Sequence, residues 1–303
     1  MGYAVVFSGQ GMQHPAMLPW LEPSGLLASA AARLGVGDWR DKLGDAAWLS
    51  GNRQAQVLLT ACALAAWHQV ARDLPPPAVV AGYSVGELAA YSAAGVFTAD
   101  TALALADRRA AAMDACAQRC PGGLLGITGW GRAQVQALCA AHGLHLAIDN
   151  GTHSAVLGGA ADSLHAAALE GTAQGAHCVR LPVQVASHTP LMAAAGRTLA
   201  DALQACPMSA PTLPLLAGIH ADRVHDVAQA RDTLSAQIHQ TIRWDDCMEA
   251  IHARGVRCVL EVGPGQALAR LWSQRFDGVP ARSVDEFRSA GRLVAWVHQR
   301  LAA

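Results

Sequence analysis

The tightest local constraint in the chain is the passage from Ala78 to Ala94. The apolar run Ala78–Ala81 meets Gly82-Tyr83-Ser84-Val85-Gly86, and an Ala-rich stretch follows. The pattern predicts a buried strand, a sharp turn and a helix, and the turn fits G-x-S-x-G. A serine there has its hydroxyl presented outward, with the next main-chain N–H and the helix N-terminus beside it to stabilise an oxyanion. The glycines let the backbone turn tightly and the neighbouring elements pack closely. A Gly-rich chain also contains such strings by chance in ordinary turns. The flanking strand and helix favour the functional reading.

The same rhythm recurs on either side. Tyr3–Phe7 reads as a buried strand ending in the loop Ser8-Gly9-Gln10-Gly11, and Val57–Val70 as a buried helix ending near Pro75-Pro76-Pro77. A further helix is expected over about Thr101–Cys120, and Cys258–Val262 reads as a last buried strand before Gly263-Pro264-Gly265 and a helix to about Arg275. Strands alternating with helices imply a mostly parallel sheet covered on both faces. The middle differs. Leu124–Thr128, Leu144–Ile148, Ala155–Gly158 and His177–Leu181 read as short strands, with helices at about Gln134–Ala141 and Ala161–Gln174. That β-α-β-β-α-β order is the order of a ferredoxin-like unit, and about 65 residues is enough for one. The expected class is α/β: a large domain from 1–121 and 189–303, and a small insert, 122–188. The C-terminal Ala-rich helix, about Ser289–Leu301, is expected to serve packing.

Composition narrows the function by exclusion. The 303 residues are 52% hydrophobic and 15% charged with a net charge of −1, so no overall basic field exists to hold nucleic acid or an acidic membrane. Apolar runs break before membrane-spanning length, and the N-terminus lacks a basic region followed by a long apolar stretch. The 8 cysteines are scattered with no C-x-x-C pair, and no second Cys/His pair accompanies Cys116 and Cys120 at a zinc-site spacing. Free thiols, no metal and a cytoplasmic location are expected.

Ser84 needs a base, since a serine hydroxyl is hardly ionised at neutral pH. With 13 histidines in the chain, composition does not select one.

Five segments together resemble the malonyl-CoA:acyl-carrier-protein transacylase family, related to the acyltransferase domains of polyketide and fatty-acid synthases. Phe7-Ser8-Gly9-Gln10-Gly11-Met12-Gln13 resembles F-P-G-Q-G-x-Q, and Gly82–Leu88 resembles G-H-S-x-G-E-x. Arg109-Ala110-Ala111-Ala112-Met113 resembles R-G-x-x-M, Ser187–Met192 resembles the histidine segment, and Glu261–Gly265 matches E-V-G-P-G. The order is the family's order, and the likeness spans nearly the whole chain.

The resemblance implies an α/β hydrolase-like large domain, a ferredoxin-like insert forming one wall of the cleft, and transfer of a malonyl group from coenzyme A to the thiol of an acyl carrier protein. It implies Ser84 as nucleophile and His188 as general base and then acid, with no acidic third member. The main-chain N–H groups of Gln10 and Val85 would form the oxyanion hole, and Gln237, seven residues before Trp244, would sit beside His188 and orient it. Arg109 would hold the malonyl carboxylate. A buried carboxylate without a partner costs several kcal/mol, and a guanidinium offers it two parallel charge-assisted bonds. The alternative for Arg109 is an ordinary surface arginine, as its neighbour Arg108 can be. No metal or redox cofactor is implied.

This chain departs from the pattern in places. Tyr83 stands where malonyl-transferring members often have His, Thr241 replaces a Pro, and Ala217-Gly218 replaces Ser/Asn-Asn. The family's helix glutamine corresponds to Gln54 or Gln56, and spacing leaves both open. Tyr83 and the opening Gln13–Leu18 also resemble the transacylase subunit of bacterial malonate decarboxylase, which loads malonyl onto that complex's own carrier. Val185-Ala186-Ser187-His188 faintly resembles Y-A-S-H of methylmalonyl-selective domains. A serine hydrolase or thioesterase, which would need an acid between Ser and His, and a non-catalytic scaffold subunit complete the alternatives.

Overall fold

A computed structural model describes residues 2–302. In chain order its strands are β1 (Ala4–Phe7), β2 (Val79–Gly82), β3 (Gly122–Thr128), β4 (His145–Asp149), β5 (Ser154–Ala160), β6 (His177–Arg180), β7 (Leu215–Leu216), β8 (Arg223–Val224), β9 (Ile242–Arg243), β10 (Val259–Val262) and β11 (Ala281–Ser283). The larger sheet has the order β11-β10-β1-β2-β7-β8. Its pairs are parallel except β7 with β8. β1, β2 and β10 are buried at every residue, which is why they read as apolar runs, broken only by Glu261 in β10, rather than as alternating ones. Long helices cover this sheet, among them Asn52–Val70, Gly86–Ala93 and Ala99–Arg119.

The smaller sheet has the order β6-β3-β5-β4-β9. Its helices are Arg132–His142 and Ala161–Ala173. Successive residues of a strand point to opposite faces, and the two faces here have different employment. Leu125, Ile127 and Leu157 join Leu138 and Leu164 in a core private to this unit, while Leu124, Ile148 and Val156 belong to the main core. One face of the small sheet therefore holds its own helices and the other faces the rest of the molecule.

Four strands escape the sequence reading: β7, β8, β9 and β11 are two or three residues long, too short for any periodicity to register. β9 has a structural consequence. It lies in the returning segment, within 189–303, yet it pairs parallel with β4, Ile148 against Ile242, and makes the small sheet five-stranded and mixed. Thr241, the residue before it, donates its hydroxyl to the Leu146 carbonyl at 2.6 Å, a bond a proline has no group to make.

Candidate active site

β1, β2 and β10 end at one edge of the large sheet, and the loops that leave them form the site. β2 ends at Gly82, and the chain turns at once: Gly86 N–H donates to Tyr83 O and Glu87 N–H to Ser84 O, each at 3.0 Å. Ser84 sits at the turn with φ of 56°. A non-glycine residue there is strained, and the surrounding packing holds it. The two glycines allow the turn: a Cβ on Gly86 would lie 2.3 Å from the Phe7 carbonyl oxygen, and one on Gly82 2.3 Å from the Glu87 nitrogen.

His188 follows the loop that leaves β6. It too has positive φ, 62°, held by its N–H donating to Ile238 O at 2.7 Å. Its Nε2 lies 2.8 Å from Ser84 Oγ. Its Nδ1 meets the main-chain carbonyl of Gln237. A carbonyl only accepts, so Nδ1 carries the proton and Nε2 keeps a lone pair for the serine. Burial lowers the His188 pKa to about 3, aided by the Arg109 charge and opposed by the Gln237 contact.

Arg109 comes from the helix Ala99–Arg119 and is only 1% exposed. Its Nη1 donates to Gln56 Oε1 at 2.6 Å and its Nη2 to Gln237 Oε1 at 3.3 Å, while Nε has no partner among the described residues. Burial lowers its pKa to about 10, against the opposing charge of Glu87, so it remains charged at neutral pH. Gln56, and not Gln54, is the helix glutamine beside the arginine. Its own Nε2 donates to Asn52 Oδ1 at 2.7 Å, so its orientation is fixed. The side chain of Gln237 touches Arg109 on one side and, through Nε2, the Ser84 carbonyl at 3.2 Å on the other.

Two main-chain groups complete the cluster. The Gln10 loop after β1 borders the cleft beside Ser84, Val85 follows Ser84 in the turn, and among the described residues neither the Gln10 nor the Val85 N–H donates to an acceptor. The cleft itself measures about 390 Å³ and lies between the large sheet's loops and the inner face of the small sheet. Leu124, Ile148, Val156 and Val183 line one side; Met12, Leu268 and Leu271 line the other.

The departures noted in the sequence have local explanations. Tyr83 packs edge-on to Trp244, ring centroids 5.3 Å apart, and its hydroxyl bonds Asn150 Oδ1 at 3.2 Å, joining the serine turn to the small sheet's β4 loop. Gly218 N–H donates to Glu87 Oε1 at 2.6 Å, and a Cβ on Gly218 would lie 2.6 Å from that same oxygen. Glu87 is fully buried, and burial raises its pKa to about 8. Glu261 lies under the helix Ala267–Arg275, accepting from Ala269 N–H at 2.8 Å, and burial raises it to about 8 as well.

The sequence reading missed one feature that shapes the loops. Asp285, beyond β11, accepts from Leu18 N–H at 2.5 Å and Gly265 N–H at 2.7 Å and meets His14 Nε2 at 2.6 Å. It ties the loop after β1 to the loop after β10. No motif announces it, because two of its three partners are main-chain amides.

Comparison with known proteins bears on the family of the chain as a whole. The acyl transferase domain family matches residues 42–295. The malonyl CoA-acyl carrier protein transacylase of Salmonella typhimurium is 31% identical over 300 residues, 94% of this chain and 96% of that protein. Among solved structures, FabD from Acinetobacter baumannii superposes with a TM-score of 0.89 at 29% identity, covering 100% of this chain and 99% of that one. A malonyl-transacylase solved in complex with a type II PKS acyl-carrier protein gives a TM-score of 0.90 at 26% identity, with 97% and 99% covered.

Proposed function

The chain belongs to the acyl transferase domain family, and from that premise we propose that it moves a malonyl group from coenzyme A to the phosphopantetheine thiol of an acyl carrier protein through an acyl-Ser84 intermediate. The observation that carries the reading is Ser84 Oγ at 2.8 Å from His188 Nε2, in a cleft that also holds the buried Arg109.

In the first half-reaction His188 Nε2 takes the Ser84 proton as Oγ attacks the thioester carbonyl. The developing oxyanion faces the Gln10 and Val85 N–H groups. As the intermediate collapses, the C–S bond breaks and the proton passes from His188 to the departing coenzyme A sulfur. The second half-reaction reverses these steps with the carrier's thiol. Arg109 pairs with the free malonyl carboxylate, whereas an acetyl group offers that guanidinium no counter-charge. The apolar walls of the cleft keep water from the acyl-enzyme. Exchange of ester for thioester involves no redox change and needs no resident cofactor or metal.

The fold description is part of the same reading. We take 1–121 with 189–303 as the α/β hydrolase-like domain and 122–188 as the ferredoxin-like insert, supported by the 4-1-3-2 arrangement of β3 to β6 in the small sheet. A cytoplasmic location fits the eight free cysteines. Among the described residues no helix is long and apolar enough to cross a membrane.

The test is intact-protein mass measurement after brief mixing with malonyl-CoA or acetyl-CoA. A single malonyl adduct, absent in Ser84→Ala and weak with acetyl-CoA, is expected. A folded protein that takes up no acyl group would refute the proposal. One observation favours a second reading, a transacylase subunit of malonate decarboxylase, which the chain resembles at Tyr83: bonded to Asn150, this residue stands where malonyl-transferring members often have His. The two readings differ only in the carrier, so transfer from malonyl-Ser84 to each carrier type separates them.

A further inference from the structure

The two substrates of the proposed reaction share little beyond the phosphopantetheine arm: a thiol, two amides and a phosphate. A single cleft that serves both in turn has to recognise that arm. The arm's end nearest the carbonyl enters among apolar side chains, but the phosphate is an anion and needs a donor near solvent. Of the ionisable groups lining the cleft, Arg109, His188 and Glu261 are buried. The exception is Arg270, which is exposed.

The helix Ala267–Arg275 presents Ala267, Leu268, Arg270, Leu271 and Gln274 to the cleft, positions related by three and four residues that form one face. Apart from Arg270 the face is uncharged. Among the described residues no carboxylate lies within 4.0 Å of the Arg270 guanidinium, and it donates no hydrogen bond. By contrast Arg275, one turn on and off that face, is bound to Asp245 and Glu249. One arginine of this helix is committed to structure and the other is left free at the cleft.

We propose that Arg270 binds the phosphate of the phosphopantetheine arm, so that one side chain positions both the coenzyme A donor and the carrier-bound acceptor. The assignment rests on the acyl-transfer reading above. Both substrates place an ionised phosphate at the same distance from the sulfur, so the contact serves both half-reactions alike. An arginine suits the task because its fork offers two donors to a phosphate. Arg270 and Arg109 then divide the work: the buried arginine reads the acyl group and the exposed one reads the arm.

The experiment compares malonyl-CoA with malonyl-pantetheine, which keeps the arm but lacks the phosphate, as donors to Ser84 in wild type, Arg270→Ala and Arg270→Lys. Arg270→Ala is expected to lower kcat/KM for malonyl-CoA about tenfold, chiefly through KM. For malonyl-pantetheine it should change about twofold at most, since no phosphate is present to lose. Arg270→Lys should recover most of the malonyl-CoA rate, and added salt should erode the wild type's preference for malonyl-CoA. Equal losses with both donors would reveal a structural role and overturn the proposal, as would no loss with malonyl-CoA. A wild type acylated by neither donor would instead overturn the acyl-transfer reading. Thermal melts of the variants show that each is folded.

Discussion

His188 Nδ1 meets the main-chain carbonyl of Gln237, not its side chain. The side chain is engaged elsewhere, with Oε1 on Arg109 Nη2 at 3.3 Å and Nε2 on the Ser84 carbonyl at 3.2 Å. One residue thus sets the tautomer of His188 through its backbone and supports Arg109 and the Ser84 turn through its amide.

A separation of roles follows for Gln237→Ala. The carbonyl survives the substitution, so the base keeps its orientation and the pH dependence of acylation is unchanged. What is lost is one charge-assisted bond to Arg109 and one bond to the Ser84 turn. Loss of about tenfold in malonyl loading is expected, at about 1.4 kcal/mol. Rates measured across pH beside His188→Ala decide the matter. A collapse of Gln237→Ala to the His188→Ala level would mean the side chain holds the base after all.

The depressed pKa of His188 gives a pH–rate profile different from that of an ordinary histidine. The group is neutral down to about pH 3, so acylation should stay flat through 6.5 instead of halving there. Stability has the corresponding sign. The unfolded chain takes a proton at this residue below about 6.5 while the folded chain does not, so the contribution is present above 6.5 and is lost as pH falls toward 3. Single-turnover acylation between pH 5 and 8 is the measurement, and an inflection near 6.5 would contradict the assignment.

Glu87 and Glu261 act in the opposite direction. Burial raises both from 4.5 to about 8, so the folded protein holds protons that the unfolded chain has released. Their contribution is present below 4.5 and lost as pH rises through 8. Glu87→Gln keeps an acceptor for Gly218 N–H and removes the titration. It should flatten the decline in stability between pH 5 and 8 by an amount on the order of 2 kcal/mol, read from denaturant midpoints at several pH values. An unchanged slope would show that Glu87 stays ionised beside Arg109.

The long elements of this fold were legible because their chemistry is repetitive. Strands buried on both faces read as apolar runs, broken in β10 only by Glu261, and the turn at Ser84 was legible because two glycines and a flanking strand and helix accompany it. Main-chain partners were not legible: the Gln237 carbonyl, the Asp285 tie to the Leu18 and Gly265 amides and the Ile238 carbonyl that holds His188 leave no side-chain signature. Nor could spacing choose between Gln54 and Gln56, since both lie on one helix and only packing against Ala99–Arg119 decides which faces Arg109. Two-residue strands such as β9 form because a neighbouring sheet offers an edge, which is a property of the fold and not of the segment.

Arg109 gives the sharpest test of selectivity. Its two terminal guanidinium nitrogens are held by Gln56 and Gln237, so the fork is oriented before a ligand arrives. Arg109→Ala removes the only partner proposed for the malonyl carboxylate and should lower malonyl loading by about 10²- to 10³-fold, equivalent to about 3–4 kcal/mol. Acetyl loading should rise relative to malonyl, because the acetyl group no longer leaves a buried cation unpaired. Arg109→Lys keeps the charge but a single ammonium cannot reproduce the fork, so it should fall between wild type and Arg109→Ala. The adduct ratio from an equimolar mixture of malonyl-CoA and acetyl-CoA measures this directly. A ratio that is the same in all three proteins would place the carboxylate elsewhere in the cleft and leave Arg109 a structural cation.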